Sequence, residues 1–226
     1  MTELGVVYTN IQRPAPDDVA ALSHYGTATI HEAMGRVGLM QPYLRPVYQG
    51  AKLCGPAVTV LLQPGDNWML HVAAEQLRDG DVVVAACTTD SDAGFFGDLL
   101  ATSFRARGGT GLVIDGGVRD VADLEQLNFP VFAKAIHARG TVKETLGSVN
   151  IPVTCAGAVV HPGDVVVGDA DGVVVVPRDK VPEVVDASRG REEKEAGVRK
   201  RLAAGELGLD VYGMRDKLAA KGLQYR

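Results

Sequence analysis

The 226-residue chain (23.8 kDa) carries 28 Asp and Glu against 23 Lys and Arg, a net charge of −5. That balance excludes a protein working chiefly by neutralising nucleic-acid phosphates and a polybasic membrane anchor, so neither nucleic acid nor a membrane is expected as a partner. Hydrophobic residues at 46% and charged residues at 23% describe a globular chain, and one of this length buries roughly 70% of the surface its unfolded form exposes, without a disulfide or metal staple.

The opening stretch MTELGVVYTN has neither a basic region nor an apolar run, which predicts no signal peptide. No apolar run approaches the ~20 residues of a membrane span. Cys54, Cys87 and Cys155 are odd in number and flanked by small or apolar residues, the pattern of packed thiols in a reducing compartment. These features together predict a cytoplasmic protein.

In chain order, Pro14 and Pro16 open a short helix to about Ser23, and a second starts at Thr27 or Thr29 and stops near Gly38. An irregular stretch leads to a strand, Ala57 to Leu62, closed by the turn Pro64-Gly65-Asp66. A helix from about Asn67 to Leu77 precedes the strand Val82 to Cys87. After a polar loop come a helix from Gly97 to Arg107, a strand from Gly111 to Ile114 and the turn Asp115-Gly116-Gly117. A helix from Arg119 to Leu127 and a strand from Val131 to Ala135 follow. Uninterrupted apolar strands joined by helices indicate parallel βαβ units covered on both faces. Beyond Gly140 the strands Val153 to Val160, Val165 to Val167 and Val173 to Val176 have tight connections, so this part reads as antiparallel or mixed. A charged helix from Asp179 to Ala204, with Gly190 and Gly197 as possible breaks, and a short helix from Asp210 to Ala220 complete the chain. Polar on most faces, this tail has the character of a segment that packs on a neighbouring subunit.

The histidines at 24, 31, 71, 137 and 161 show no zinc-ligand spacing, and neither GxSxG, GxxxxGK[ST] nor a helix-opening GxGxxG occurs. What remains is Leu112-Val113-Ile114-Asp115-Gly116-Gly117-Val118-Arg119-Asp120. A buried strand enters a two-glycine turn and then a helix N-terminus, where free N–H groups favour an anion and α/β sheets place ligands. Taken alone, Asp120 is equally a helix-start charge and Arg119 a surface ion pair. Gly97-Asp98-Leu99-Leu100 begins another helix, where a carboxylate could sit against the N–H groups of Leu99 and Leu100 and where Asp98 is equally an N-cap. Two such helix starts side by side would hold a small dianion plus a divalent cation, and Mg²⁺ suits a site with one protein carboxylate because it keeps most of its waters.

Gly97-Asp98-Leu99-Leu100, followed by Gly116-Gly117-Val118-Arg119-Asp120 and Asp123, resembles the 4-hydroxy-4-methyl-2-oxoglutarate / 4-carboxy-4-hydroxy-2-oxoadipate aldolases, metal-dependent (class II) pyruvate aldolases of the ribonuclease E activity regulator-like superfamily. The resemblance extends to Glu192-Glu193-Lys194-Glu195 and to the run from Leu207 to Arg215. The core motif is shared with the ribonuclease E activity regulators, which are generally shorter, so the long tail favours the aldolases. The resemblance implies an α/β fold, an α-β-β-α sandwich with a swivelling β/β/α-type core and mixed sheets. We place one catalytic domain at 1–176 and a C-terminal helical extension at 177–226 that packs on a neighbouring subunit. It further implies homotrimers or homohexamers with the active site at a subunit interface, and a Mg²⁺ or Mn²⁺ ion on Asp120. Arg119 would hold the keto oxygen, Gly97, Leu99 and Leu100 would grip the pyruvyl carboxylate with Asp98 nearby, and Glu195 would reach in from the adjacent subunit. The other role for Glu195 is a helix-surface pair with Arg199.

The activity implied is retro-aldol cleavage of 4-carboxy-4-hydroxy-2-oxoadipate to pyruvate and oxaloacetate, and of 4-hydroxy-4-methyl-2-oxoglutarate to two pyruvates, in aromatic-acid catabolism. Oxaloacetate decarboxylation follows as a side activity because it forms the same enolate. The barrier lies in that enolate, so catalysis calls for fixed positive charge at the keto oxygen. No lysine joins this constellation, leaving a Schiff-base route without a nucleophile. Water on the cation, tuned by Asp98 and Glu195, is the expected proton-transfer group. The alternative is a protein-binding regulator of ribonuclease E type, needing a surface and no metal chemistry.

Overall fold

A computed structural model of the chain describes residues 4–226. Its valine-rich runs become strands because β-branched side chains suit a pleated surface that is covered on both faces. The elements in order are α1 (Pro16–Leu22), α2 (Thr27–Ala33), β1 (Arg45–Pro46), β2 (Leu53–Leu62), α3 (Trp68–Ala73), β3 (Val82–Cys87), β4 (Gly94–Phe96), α4 (Asp98–Ala106), β5 (Gly111–Val118), α5 (Val121–Gln126) and β6 (Val131–Ile136). Then come β7 (Ser148–Val149), β8 (Val153–Cys155), β9 (Ala158–Val160), β10 (Val165–Asp169), β11 (Gly172–Val176), α6 (Val181–Ala203), α7 (Gly208–Val211) and α8 (Arg215–Ala220).

Among the described residues one mixed sheet of nine strands runs β1-β6-β5-β3-β2-β10-β11, with β4 paired to β5 and β7 to β2. The inner strands are parallel, Ala57 facing Val82 and Val82 facing Gly111. The β1–β6, β2–β10 and β10–β11 pairs are antiparallel. The ends of the path, β1 and β11, lie against each other, so the sheet nearly closes. Arg45 helps the closure by donating to the carbonyls of Ala170 and Asp171 at the β10–β11 turn. This is the mixed α/β architecture expected from the sequence, with its helical extension at the C-terminus.

Strand alternation divides the core. Val58, Val60, Leu112 and Ile114 face outward to Leu70, Leu100, Phe104 and Leu124 of α3, α4 and α5. Val82, Val84, Val113, Val166, Val173 and Val175 face the interior, which the β8–β9 hairpin plugs with Val153, Cys155 and Val160. Val165, Val167, Val174 and Val176 pack under α1, α2 and the first turns of α6 through Leu22, Ile30, Val181, Val184 and Val185. Beyond Ser188 no residue of α6 is buried on this chain.

Several elements differ from the sequence reading. The predicted strand from Val153 to Val160 is a hairpin, turned by Ala156 and Gly157 at φ 45° and 81°. Alanine tolerates that left-handed position because its N–H donates to Asp115 at 3.0 Å. The segment Asp115-Gly116-Gly117, expected as a turn, continues β5, and β4 lies in the stretch read as a polar loop. Thr27 does not cap α2. Gly26 is the cap residue, and the Thr27 hydroxyl donates to Asp169. Helix α6 runs unbroken through Gly190 and Gly197, whereas the last predicted helix is two short ones, α7 and α8.

Candidate functional site

The C-terminal edge of parallel strands is where α/β sheets gather ligand-binding groups, and a cleft of about 160 Å³ opens there. Its walls come from β4, the start of α4, the segment after β5, and the loop 140–143. Gly97, Asp98, Leu99, Leu100, Arg119 and Asp120 all line it. The structure therefore brings together six of the seven sequence-predicted site residues.

Helix α4 supplies the anion-binding end. Gly97 is its cap residue, and the first intrahelical bond runs from the Ala101 N–H to the Gly97 carbonyl. The N–H groups of Asp98, Leu99 and Leu100 thus have no intrahelical acceptor, and the helix dipole adds to their pull on a negative group. Asp98 stands half-buried in the first turn and makes no capping bond, so the capping role open at the sequence level is not the one it takes.

The second helix start is different from the expectation. Strand β5 ends at Val118, and α5 does not begin until Val121. Arg119 lies between them, its N–H donating to the Phe96 carbonyl at 2.9 Å. Asp120 is the cap of α5 in the left-handed conformation, φ 57° and ψ 37°. Its carbonyl accepts from Asp123 and Leu124, which makes the short helix α5 the anchor of a strained residue. No anion site arises at this six-residue helix. What the segment offers is side chains, with Arg119 Nε 3.5 Å from Asp120 Oδ2 and both groups partly open to the cleft.

The glycines have packing roles that the motif alone did not reveal. A Cβ on Gly117 would come within 2.1 Å of the Asp92 carbonyl, and one on Gly116 within 3.1 Å of Phe95. These two glycines let β4 and the residues before it lie against β5, rather than admitting a ligand. Gly97 is the one against the reactive groups, since a Cβ there would lie 2.1 Å from Asp120 Oδ2 and 3.4 Å from Arg119 Cγ.

Four further lining residues with polar side chains escaped the sequence reading: Asn67, His71, Thr141 and Lys143. Asn67 is buried and donates to the Phe95 carbonyl at 2.8 Å, which ties the start of α3 to β4. Burial, and after it the Lys143 charge, lower the pKa of His71. Lys143 corrects the expectation that the constellation is free of lysine. It comes from a loop 24 residues beyond Arg119, and no local spacing signals that return.

Glu195 is not in the cleft of its own chain. It pairs with Arg191 at 2.9 Å rather than with Arg199, and Arg191 also approaches Glu32. Asp123 is exposed in the first turn of α5. Among the described residues no three His, Cys, Asp or Glu side chains form a metal cluster. The cleft instead offers two carboxylates, Asp98 and Asp120, with a glycine leaving open the flank of Asp120. That donor set fits a hard cation that retains waters, as Mg²⁺ and Mn²⁺ do, and does not fit zinc. A larger groove of about 750 Å³ lies elsewhere, beside Gly38, the β8–β9 hairpin and Arg178. Two of its charged groups are held by backbone, since Asp164 accepts from the His161 and Arg178 N–H groups and Arg178 donates to the Pro162 carbonyl.

The sequence profile of the RraA-like (Aldolase/RraA) family matches residues 27–175, a span that includes the whole cleft. The chain belongs to the Aldolase/RraA family. A Halalkalibacterium halodurans protein named "Putative 4-hydroxy-4-methyl-2-oxoglutarate aldolase" is 28% identical over 186 residues, covering 82% of this chain and 89% of its own. An uncharacterized protein of Methanocaldococcus jannaschii is 33% identical over 174 residues, 76% of this chain and 83% of its own. Among solved structures, Streptomyces coelicolor RraAS2, described as an unusual member of the RNase ES inhibitor RraA protein family, superposes with TM-score 0.75 at 30% identity, covering 84% of this chain and 99% of its own. Among the described residues no helix is long and apolar enough to cross a membrane.

Proposed function

We propose that this family member is a lyase that cleaves 4-hydroxy-2-oxo acids to pyruvate, with 4-carboxy-4-hydroxy-2-oxoadipate and 4-hydroxy-4-methyl-2-oxoglutarate as its substrates. The observation that carries the reading is the meeting of the α4 N-terminus, the Arg119 guanidinium and the Asp98 and Asp120 carboxylates in one small cleft.

The substrate carboxylate next to the keto group binds the N–H groups of Leu99 and Leu100, with Gly97 leaving room at the cap. This places the keto oxygen toward Arg119. The C4 hydroxyl gives up its proton, the C3–C4 bond breaks, and its electron pair passes through C3 to the C2 oxygen. One product leaves as the new carbonyl compound, either oxaloacetate or pyruvate. The other is the pyruvate enolate, which takes a proton at C3. Arg119 holds positive charge and N–H donors where the oxygen becomes anionic, and removing one such group commonly costs about 10²–10³-fold in turnover. Asp98, together with Glu195 contributed by a neighbouring subunit, is assigned to tune the proton transfer. Asp120 would hold a Mg²⁺ or Mn²⁺ ion, which supplies further positive charge to the 2-oxo acid. Loss of carbon dioxide from oxaloacetate leaves the same enolate, so that activity accompanies the aldol cleavage.

A trimeric or hexameric assembly belongs to this reading. In its support, the last turn of α6 and the segments flanking α7 and α8 leave Leu202, Leu207, Tyr212 and Met214 partly exposed. The likeness to an RNase ES inhibitor family member favours a second reading, a regulator that binds its partner by a surface. One experiment separates the two. Pyruvate release from 4-carboxy-4-hydroxy-2-oxoadipate is followed with a coupled assay, with and without EDTA, for the native chain and for Arg119→Ala. The enzyme reading expects release that EDTA abolishes and that Arg119→Ala lowers at least 100-fold, on the order of one oxyanion group. Absence of release from this substrate and from oxaloacetate with Mg²⁺ refutes it.

A further inference from the structure

Asp66 is almost fully buried, yet its carboxylate is spent on backbone groups of a loop that belongs to the cleft. Asp66 Oδ2 accepts from the N–H groups of Glu144 at 2.6 Å and Thr145 at 2.7 Å, and Oδ1 accepts from Trp68 at 2.9 Å. The same loop is laced to the 65–67 turn by Val142 N–H to the Gly65 carbonyl and Asn67 N–H to the Val142 carbonyl. Three N–H donors on one carboxylate are strong charge-assisted bonds. Between these anchor points stands Lys143, an exposed cation that lines the same cleft as Arg119.

We infer that Asp66 is a positioning residue for the cleft: by clamping the 142–145 backbone it holds Lys143 where that ammonium receives the distal carboxylate of a di- or tricarboxylic 2-oxo acid. The inference rests on the proposed lyase reading. The chemistry requires a second cation, because Arg119 and the α4 N-terminus are occupied by the pyruvyl half of the substrate. The 4-carboxy and 4-hydroxy-oxo acids carry one or two further carboxylates beyond the bond that breaks. Asp66 itself touches no substrate. Its hydrogen-bond donors are the backbone amides of Trp68, Glu144 and Thr145. Against the effect of burial, these bonds, helped by the nearby Lys143 charge, hold its carboxyl below the usual range.

The test compares Asp66→Asn, Lys143→Met and the double variant with the native chain in two assays. An amide at 66 keeps one acceptor oxygen and turns an NH₂ group toward an N–H donor, so at least one of the three bonds is lost whichever way the amide sits, and the charge assistance is lost from the others. In pyruvate release from 4-carboxy-4-hydroxy-2-oxoadipate, each single variant is expected to raise KM about tenfold with kcat little changed, the signature of lost ground-state binding. The double variant is expected to match the singles rather than multiply them, since both act through one contact. In limited proteolysis, trypsin is expected to cut after Lys143 several times faster in Asp66→Asn. A residue important only for folding would lower the unfolding temperature and the active fraction, and would leave KM alone.

An unchanged tryptic rate overturns the clamp. A loosened loop with native KM, or fully additive KM changes, overturns the link to Lys143. If the native chain releases no pyruvate at all, the lyase reading fails and the substrate role of Lys143 falls with it, while the tryptic rate still decides the clamp. Should Asp66→Asn not fold, Asp66→Ser, which keeps a hydroxyl acceptor, carries the same comparison.

Discussion

Gly97→Ala adds one methyl group against the groups proposed to do the chemistry. The Gly97 backbone is fully extended, φ −160° and ψ −163°, so alanine adopts it without strain. The new Cβ would stand 2.1 Å from Asp120 Oδ2, whereas ordinary van der Waals contact begins at 3.4 Å. The carboxylate must therefore retreat by 3.4 − 2.1 = 1.3 Å. Asp120 is held at its backbone by the bonds from Asp123 and Leu124, so the side chain takes most of that movement. A displacement of about 1 Å in a reacting constellation costs on the order of 100-fold. Stability should move little, because loss of glycine freedom in the unfolded chain contributes about 0.4–1 kcal/mol in the opposite direction to the crowding. The assay pairs pyruvate release from 4-carboxy-4-hydroxy-2-oxoadipate with thermal unfolding. Gly190→Ala, in a helix with nothing within 4 Å of the added group, serves as control and should keep native turnover. Native kcat/KM in Gly97→Ala would show that the position of the Asp120 carboxylate does not matter and would refute the reasoning.

Arg13 and Asp81 form a two-pronged ion pair, both bonds 2.7 Å, with the Asp81 side chain wholly buried. Arg13→Met leaves that carboxylate buried with only the Arg78 N–H as a donor, and should cost about 3 kcal/mol, read as a lower urea midpoint with an unchanged slope. Burial, and then the Asp115 carboxylate to which its hydroxyl donates, push the Tyr43 phenol up to about 12. Because the unfolded phenol ionises near 10, its contribution to stability is whole below pH 10 and falls as pH rises through 12. The difference in unfolding free energy between native protein and Tyr43→Phe should therefore shrink across that window in an alkaline denaturation series. A flat difference would contradict it. Gly197→Ala, in an open stretch of α6, should raise stability by about 0.5–1 kcal/mol, seen as a higher melting temperature.

Much was legible along the chain. The apolar runs Val82–Cys87 and Val131–Ala135 announced parallel strands, and the Gly97-Asp98 and Arg119-Asp120 pairs pointed to the cleft that forms, because helix starts and strand ends are local features written in a few adjacent residues. Tertiary structure alone decided the rest. Gly116 and Gly117 read as a turn but are strand, because β4 and the residues before it press on them: a Cβ at 117 would collide with the Asp92 carbonyl, and one at 116 would crowd the Phe95 ring. Asp120 reads as an ordinary first-turn acid but is held in a left-handed conformation between β5 and α5. Asp66 reads as a turn residue, yet it becomes the anchor that returns Lys143 to a site built from residues far away in sequence. Propensity and periodicity act over a few residues, whereas which carbonyl, carboxylate or ammonium lies against a given side chain depends on sheet order and loop closure, and those are settled only when the whole core packs.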